Sequence, residues 1–266
     1  MSNVKIISVE AKKSYYLVTT SINDYKFDED TIVKYEVFND KVYEKKEFDK
    51  IIKYNEEQIA FNKVIRYLGY GPRSKLEIIK YLKDKGIDNY KPTLKKLTEY
   101  GYINDEKLAC DLVDYYMELK KGPLYILKKM DEKGIDESIR KKAMAIYDKD
   151  SEIEICYLVS QKELERLSKY PIRKQKTTLY SKLQAKGFSS DVVRLTIDKL
   201  DYIDDSLDNL KKDYEKLLVK VNKKDISEAE KKSYVIERLM AKGYEYKVIK
   251  TILWEWFSLL LGLLRV

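Results

Sequence analysis

Histidine is absent from this 266-residue chain. Its absence excludes Ser–His–Asp and Cys–His catalysis, imidazole acid–base chemistry and every histidine-containing zinc site. Cysteine is almost absent too. Cys110 and Cys156 are the only thiols, too few for a structural zinc site, and both read as small buried hydrophobes in a reducing compartment. No apolar run reaches the ~20 residues that span a bilayer. The opening "MSNVKIISVEAKK" lacks the apolar core of a signal peptide. The expectation is a cytoplasmic protein with no membrane partner. The final "TILWEWFSLLLGLLRV" is apolar but short, and reads as a last core helix or a docking segment. Missing as well are a Walker A loop, a G-x-G-x-x-G turn, a metal-ligand cluster and a nucleophile elbow. The neighbouring acids Asp204-Asp205 and Asp28-Glu29-Asp30 read as helix N-terminal charges. The chain is therefore expected to have no catalytic residue, no metal and no cofactor.

What is present is charge. Charged residues make up 37% of the chain, and 53 Lys and Arg against 45 Asp and Glu leave a formal +8. Such an excess, spread along the chain, suits a polyanionic partner better than an acidic small molecule. Hydrophobic residues at 44% are enough for a folded body, and 266 residues can fill one large domain or several small ones.

The hydrophobic period changes along the chain. Val4, Ile6 and Ser8, then Tyr15, Leu17 and Thr19, alternate as strands do, and Ile22–Tyr25 reads as a turn before a third short strand. Residues 1–55 are expected to form a small β-containing domain. From about Glu56 the period is helical. In "GPRSKLEIIKYLKDKGID" (Gly71–Asp88), Ser74 and Glu77 form a capping box, Leu76, Ile79 and Leu82 form an apolar face with Ile78 beside it, and Gly86 stops the helix. Pro92 opens a second helix that Gly101 closes, and Asn104 or Asp105 caps a third.

The stop recurs. Lys85-Gly86-Ile87, Lys133-Gly134-Ile135, Lys186-Gly187-Phe188 and Lys242-Gly243-Tyr244 all end a helix and lead to another, with glycines 48, 53 and 56 residues apart (134 − 86, 187 − 134, 243 − 187). Four copies at near-constant spacing are a tandem array of three-helix units. The expected fold is mainly α, an elongated, curved array of three-helix repeats behind the small β-containing domain. The expected boundaries are 56–121, 122–170, 171–225 and a partial fourth repeat at 226–266. Two short helices and a glycine turn within one unit also suit a helix–turn–helix. Four in tandem do not suit a dimeric operator reader, which uses one recognition helix per subunit.

Three stretches contain no acid at all. Gln58–Leu76 holds Lys63, Arg66, Arg73 and Lys75; Leu119–Met130 holds Lys120, Lys121, Lys128 and Lys129; Leu167–Ser190 holds Lys169, Arg173, Lys174, Lys176, Lys182 and Lys186. Each lies around the start of a repeat's first helix, where free N–H groups and the helix dipole add to the attraction for anions. These residues are the candidate contacts to a phosphate backbone or an acidic protein surface, against the blander reading of solvated faces. The 24 tyrosines suggest base stacking, but Tyr67, Tyr81, Tyr115 and Tyr116 fall at or beside helix core positions.

The arrangement resembles the RecX family, regulators of the RecA recombinase. The resemblance rests on Arg73-Ser74, Glu77, Leu97 through Gly101-Tyr102-Ile103 to Asp105, Ala109, Gly122, Ile126, Met130 and Gly134-Ile135. It is strong over about 58–148 and continues more weakly to about 250, with the β-containing start and extra repeat of the longer Gram-positive form. Met130 stands where the family usually has Leu, a volume-conserving change. The apolar end after Ile252 is not part of the pattern. The resemblance implies a monomer without a catalytic centre that lies along the RecA filament, meets single- and double-stranded DNA through it, and suppresses its ATPase and strand exchange. The alternative from the residues alone is an autonomous nucleic-acid-binding array with no recombinase partner.

Overall fold

A computed structural model describes residues 3–202 and 206–252. The apolar end after Ile252 and the pair Asp204-Asp205 lie outside the described residues. The elements are β1 (Asn3–Ala11), β2 (Tyr16–Thr20), β3 (Asp24–Phe27), α1 (Glu29–Tyr35), β4 (Val42–Glu44), α2 (Lys45–Leu68), α3 (Lys75–Asp84), α4 (Lys91–Glu99), α5 (Asp105–Glu118), α6 (Pro123–Glu132), α7 (Glu137–Met144), α8 (Lys149–Glu165), α9 (Ile172–Ala185), α10 (Ser190–Lys199), α11 (Ser206–Val221) and α12 (Glu228–Ala241). A further helical run occupies 246–252. The protein is mainly α, with tandem three-helix repeats behind a small antiparallel sheet. The chain divides into two compact units, 1–112 with 129–143, and 113–128 with 144–266.

In the first unit the sheet has the order β3-β2-β1-β4, all antiparallel. The period-2 pattern of Val4, Ile6 and Val18 points these side chains inward, where they meet Phe27, Tyr43, Phe48 and Ile51 in one core. The sequence reading missed β4. Its three residues are too few to show alternation, and only pairing with β1 at Val4↔Tyr43 defines them as a strand. The expected boundary at residue 55 also falls inside a continuous helix. The first half of α2 puts Phe48 and Ile51 on the sheet, and its second half puts Ala60 and Val64 into a helical core with Ile78, Leu82, Leu94, Leu97 and Ile103. A single helix thus closes two cores, each fully buried Leu or Ile contributing about 1.5–3 kcal/mol.

That second core joins α2 to α3 and α4. In the second unit α8 packs with α9 and α10, and α11 with α12 and the run at 246–252 around Leu210, Val221, Leu239 and Ile249. Around α2, α8 and α11 the packing therefore groups a long helix with the two that follow it, and for α8 and α11 this places the start of a module one helix earlier than the glycine count suggested. On α3 the buried positions are Ile78 and Leu82, whereas Leu76 lies at the surface of the helix entry.

The repeat signature has a mechanical role. Gly86, Gly134, Gly187 and Gly243 all take positive φ, at 72°, 66°, 90° and 97°, the left-handed stop that glycine adopts at least cost. Three of them also touch the preceding repeat. A Cβ on Gly134 would strike Leu76 at the entry of α3, one on Gly187 would strike the Tyr125 backbone at the entry of α6, and one on Gly243 would come within 2.8 Å of Lys174 at the entry of α9. At the first two joints, carbonyls at or beside the glycines receive hydrogen bonds from the same entries. Ser74 Oγ donates to Lys133 O, Gly122 N to Lys186 O at 2.9 Å, and Leu124 N to Gly187 O at 2.9 Å. Each joint thus sets the exit of one module's second helix on the entry of the second helix in the module before it.

Gly122 belongs to this joint and not to a helix stop. The stop after α5 is Lys120, at φ 55°, with Lys121 N bonded to Tyr116 O at 2.9 Å. Gly122 is needed because any Cβ would enter the backbone of Gly187 and Phe188. Gly122→Ala is expected to destabilise the protein by about 1–3 kcal/mol through this overlap. Gly86→Ala, where a Cβ meets nothing within 4 Å, is expected to incur only the left-handed strain of about 1–2 kcal/mol. Thermal unfolding of both variants, each with a second alanine placed on an exposed helix face as control, checks the difference in mechanism: only Gly122→Ala should alter hydrogen-exchange protection at Leu124 and Phe188.

Candidate nucleic-acid interface

Each joint carries cations. At the first, Arg73 and Lys75 of the α3 entry lie beside Lys133. At the second, Lys120 and Lys121 precede Gly122, which is bonded to Lys186. At the third, Lys174 of α9 meets Gly243, next to Lys242, and Arg173 lines the same groove. Basic side chains from two successive repeats are therefore brought together at points far apart in sequence.

The chemistry of the entries differs from the expectation. Free helix N–H groups were expected to take an anion, but at the first two joints these donors are occupied. Ser74 N donates to Glu77 Oε2 at 2.9 Å, Glu77 N to Ser74 Oγ at 3.1 Å, and Lys75 N to Asp105 Oδ1 at 2.9 Å. At α6 the N–H groups of Gly122 and Leu124 bond the next repeat's carbonyls. An anion at these two joints would meet side-chain cations and not backbone donors. The α9 entry has Pro171 at its N-cap with no side-chain cap. There Arg173, Lys174, Thr177, Thr178 and Lys247 line an open groove of about 950 Å³, with Glu245 its one acid.

Position along the helices also separates the candidates. Lys75, Lys120, Lys121, Arg173 and Lys174 sit at or just before first turns, and Lys176 follows one turn on. Arg66, Lys129 and Lys182 lie in last turns, with Lys63 and Lys128 close to them. Three of the twelve are held by acids. Lys129 Nζ reaches Glu132 at 2.6 Å, and Lys182 binds Glu163. Arg73 Nη1 lies 3.7 Å from Glu77, with its guanidinium carbon 4.7 Å from the centre of the Tyr67 ring. The remaining nine form no ion pair among the described residues, although Lys121 lies over Tyr125, Lys174 over Tyr170 and Lys176 over Tyr202.

Glu77 is the acid on which the first joint turns, and no repeat count could reveal that. It accepts from Ser74 N, takes Lys133 Nζ at 3.1 Å and faces Arg73. Partial burial opposes its ionised form, but the Ser74 N–H and the two cations prevail and hold its carboxyl below the usual range. The tyrosines divide. Tyr67 and Tyr81 stack on each other at 4.3 Å and 6°, and Tyr116 packs edge-on to Tyr125, whereas Tyr115, beside the core positions, is exposed. Burial pushes the Cys156 thiol up, as an inert core cysteine requires, while Cys110 is half-buried.

A model of the first three-helix domain of RecX matches residues 60–89. Regulatory protein RecX of Staphylococcus aureus strain JH9 is 30% identical over 266 residues, covering 94% of this chain and 95% of the relative. The chain belongs to the RecX family. Strain N315 gives the same 30% over the same shares. A crystal structure of regulatory protein RecX superposes with a TM-score of 0.58 at 25% identity, over 74% of this chain and 100% of its own. The crystal structure of RecX from Lactobacillus salivarius superposes at 0.52 with 27% identity, over 55% and 97%. RecX is a family of regulatory proteins, not of enzymes. Among the described residues no cluster of three potential metal ligands occurs, and no helix is long and apolar enough to cross a membrane.

Because the folded pKa of Glu77 is lowered, its contribution is present above the unfolded value and is lost as pH falls through the folded one. Glu77→Gln should cost about 1–3 kcal/mol at neutral pH, since it leaves Lys133 without its carboxylate. It should also flatten the acid limb of the stability profile. Urea titrations between pH 7 and pH 3 test both. An unchanged acid limb in the variant would remove Glu77 from the joint's energetics.

Proposed function

We propose that this RecX-family protein is a cytoplasmic, non-enzymatic regulator of homologous recombination and DNA repair that binds a RecA-like nucleoprotein filament and lowers its ATPase and strand-exchange rates. A free chain acts as a monomer and meets single- and double-stranded DNA through the filament. The observation that carries this reading is the recurrence of cations at successive joints, each built from two repeats, in a protein of a regulatory family. A filament repeats its anionic and protein surfaces at fixed intervals. A ligand with repeated weak contacts gains avidity from such a lattice that it does not gain from a free subunit. The contacts are Lys63, Arg66, Lys75, Lys120, Lys121, Lys128, Arg173, Lys174 and Lys176, with Arg73, Lys129 and Lys182 holding the joints and their helices in place through Glu77, Glu132 and Glu163.

Titration into a RecA-like ATPase running on single-stranded DNA tests the proposal. Inhibition is expected well below one chain per recombinase subunit. Inhibition that begins only when the protein suffices to coat the DNA would replace the proposal with an autonomous nucleic-acid binder. Reversal of Lys120, Lys121 and Lys128 to Glu should weaken filament binding and reduce the steepness of its salt dependence, by roughly one unit of log–log slope for each phosphate that is no longer neutralised. Unaltered binding at low salt in the triple variant would remove these lysines from the interface.

A further inference from the structure

The internal joints follow one plan, so the chain itself shows what fits each half. One half is a helix entry, and the other is the Lys–Gly corner of the next repeat. Each later corner mates with the entry before it, so among the described residues one corner and one entry are left over. The unmated corner is Lys85-Gly86, in the first repeat. A Cβ on Gly86 would meet nothing within 4 Å, whereas Gly134, Gly187 and Gly243 all abut a preceding entry. Lys85 is exposed, with its ammonium 5.7 Å from the Tyr81 ring centre. Among the described residues it has no carboxylate partner, and no hydrogen bond reaches its carbonyl.

The unmated entry is that of α12, the second helix of the last module. It is built like the entry of α3. Ser227 and Glu230 form the same capping box as Ser74 and Glu77. The difference lies in what the serine hydroxyl does. Ser74, fully buried, donates to Lys133 O across a joint. Ser227, exposed, turns its hydroxyl onto its own Glu230 at 2.7 Å. Glu77 holds Lys133, while Glu230 holds no cation among the described residues. The small Ala229 stands where Leu76 stands in α3, on the side that receives the glycine.

We infer that these halves mate between copies: the α12 entry of one chain docks on the Lys85-Gly86 corner of a second, continuing the repeat order from copy to copy. Ser227 then donates to the Lys85 carbonyl, Glu230 takes the Lys85 ammonium, and Ala229 lies over Gly86. The charges are complementary, Glu230 against Lys85, and the template is the joint between Glu77 and Lys133. The contact is heterologous, so each added copy leaves one corner and one entry open for the next. A single joint without a covalent link is weak, with a dissociation constant on the order of 10⁻⁴ to 10⁻³ M, which leaves the free protein monomeric at ordinary concentrations. The role of the contact rests on the filament reading above: copies concentrated along a lattice would bind cooperatively. Its existence does not depend on that reading.

Sedimentation equilibrium of the full chain without DNA or recombinase, up to about 1 mM, is the test. Wild type should show weak, open-ended association. Lys85→Glu and Glu230→Lys should each weaken it about fivefold to tenfold, and the double variant should restore it, because the pair is then reversed and not removed. Circular-dichroism melts check whether α12 survives the loss of its capping carboxylate, and Lys85→Glu, at an exposed corner, serves as the arm free of that concern. Absence of association in wild type, association as strong as wild type in both single variants, or a double variant no better than the singles would overturn the inference. Filament inhibition measured with the same proteins stands or falls separately.

Discussion

Everything in the repeats depends on how a helix end meets a helix start. An isolated helix leaves its last carbonyls and first N–H groups without partners, and both must find them if the ends are buried. Here the two deficits cancel: the carbonyls of Lys186 and Gly187 take the N–H groups of Gly122 and Leu124. The macrodipoles also meet negative end to positive end, which is favourable at this short range. A backbone approach this close tolerates no side chain, so the glycine serves twice, once for its left-handed φ and once for its missing Cβ.

The same economy decides what chemistry the joints can offer. Once the entry donors are committed to structure, anion recognition there falls to lysine and arginine side chains, which carry charge without fixed geometry. Such contacts make affinity sensitive to salt and indifferent to base sequence. That suits the proposed function, in which any stretch of a filament is engaged. Three of the basic residues are committed to holding the structure, Arg73 most clearly, caught between Glu77 and the face of Tyr67. The cations that stay unpaired are those that the neighbouring repeat leaves without a carboxylate.

Much of this was legible in the residues. The Lys-Gly-apolar signature announces four helix stops because few residues other than glycine terminate a helix in the left-handed region, and the capping box at Ser74 and Glu77 marks a start. What could not be read was who touches whom. Gly122 looks like a turn residue beside Pro123, and only the nearness of Gly187 shows it to be a contact glycine. Glu77 reads as a local cap, yet its second partner is Lys133, 56 residues away. The module boundary was misplaced for a related reason. The strongest sequence punctuation lies at the joints between repeats, whereas the cores that define a module gather around long helices without punctuation, such as α2, which has no internal glycine or proline across two cores.

The placement of charge beside the joints has a further consequence for the proposed function. A lysine on a fraying loop gives up rotamer and backbone freedom when it binds, and that cost subtracts from its affinity. Lys120 and Lys121 sit on backbone already fixed by the bonds of Lys121 to Tyr116 and of Gly122 to Lys186, so only side-chain freedom remains to be given up. Several such contacts, each weak, add because one chain carries them all. The interval at which the joints recur then matters more than the strength of any one, because a lattice of matching interval is engaged at many points and a mismatched one at few. Under the proposed function, selectivity for an assembled filament over free DNA would come from the spacing of repeats, and individual lysines would set only the overall affinity.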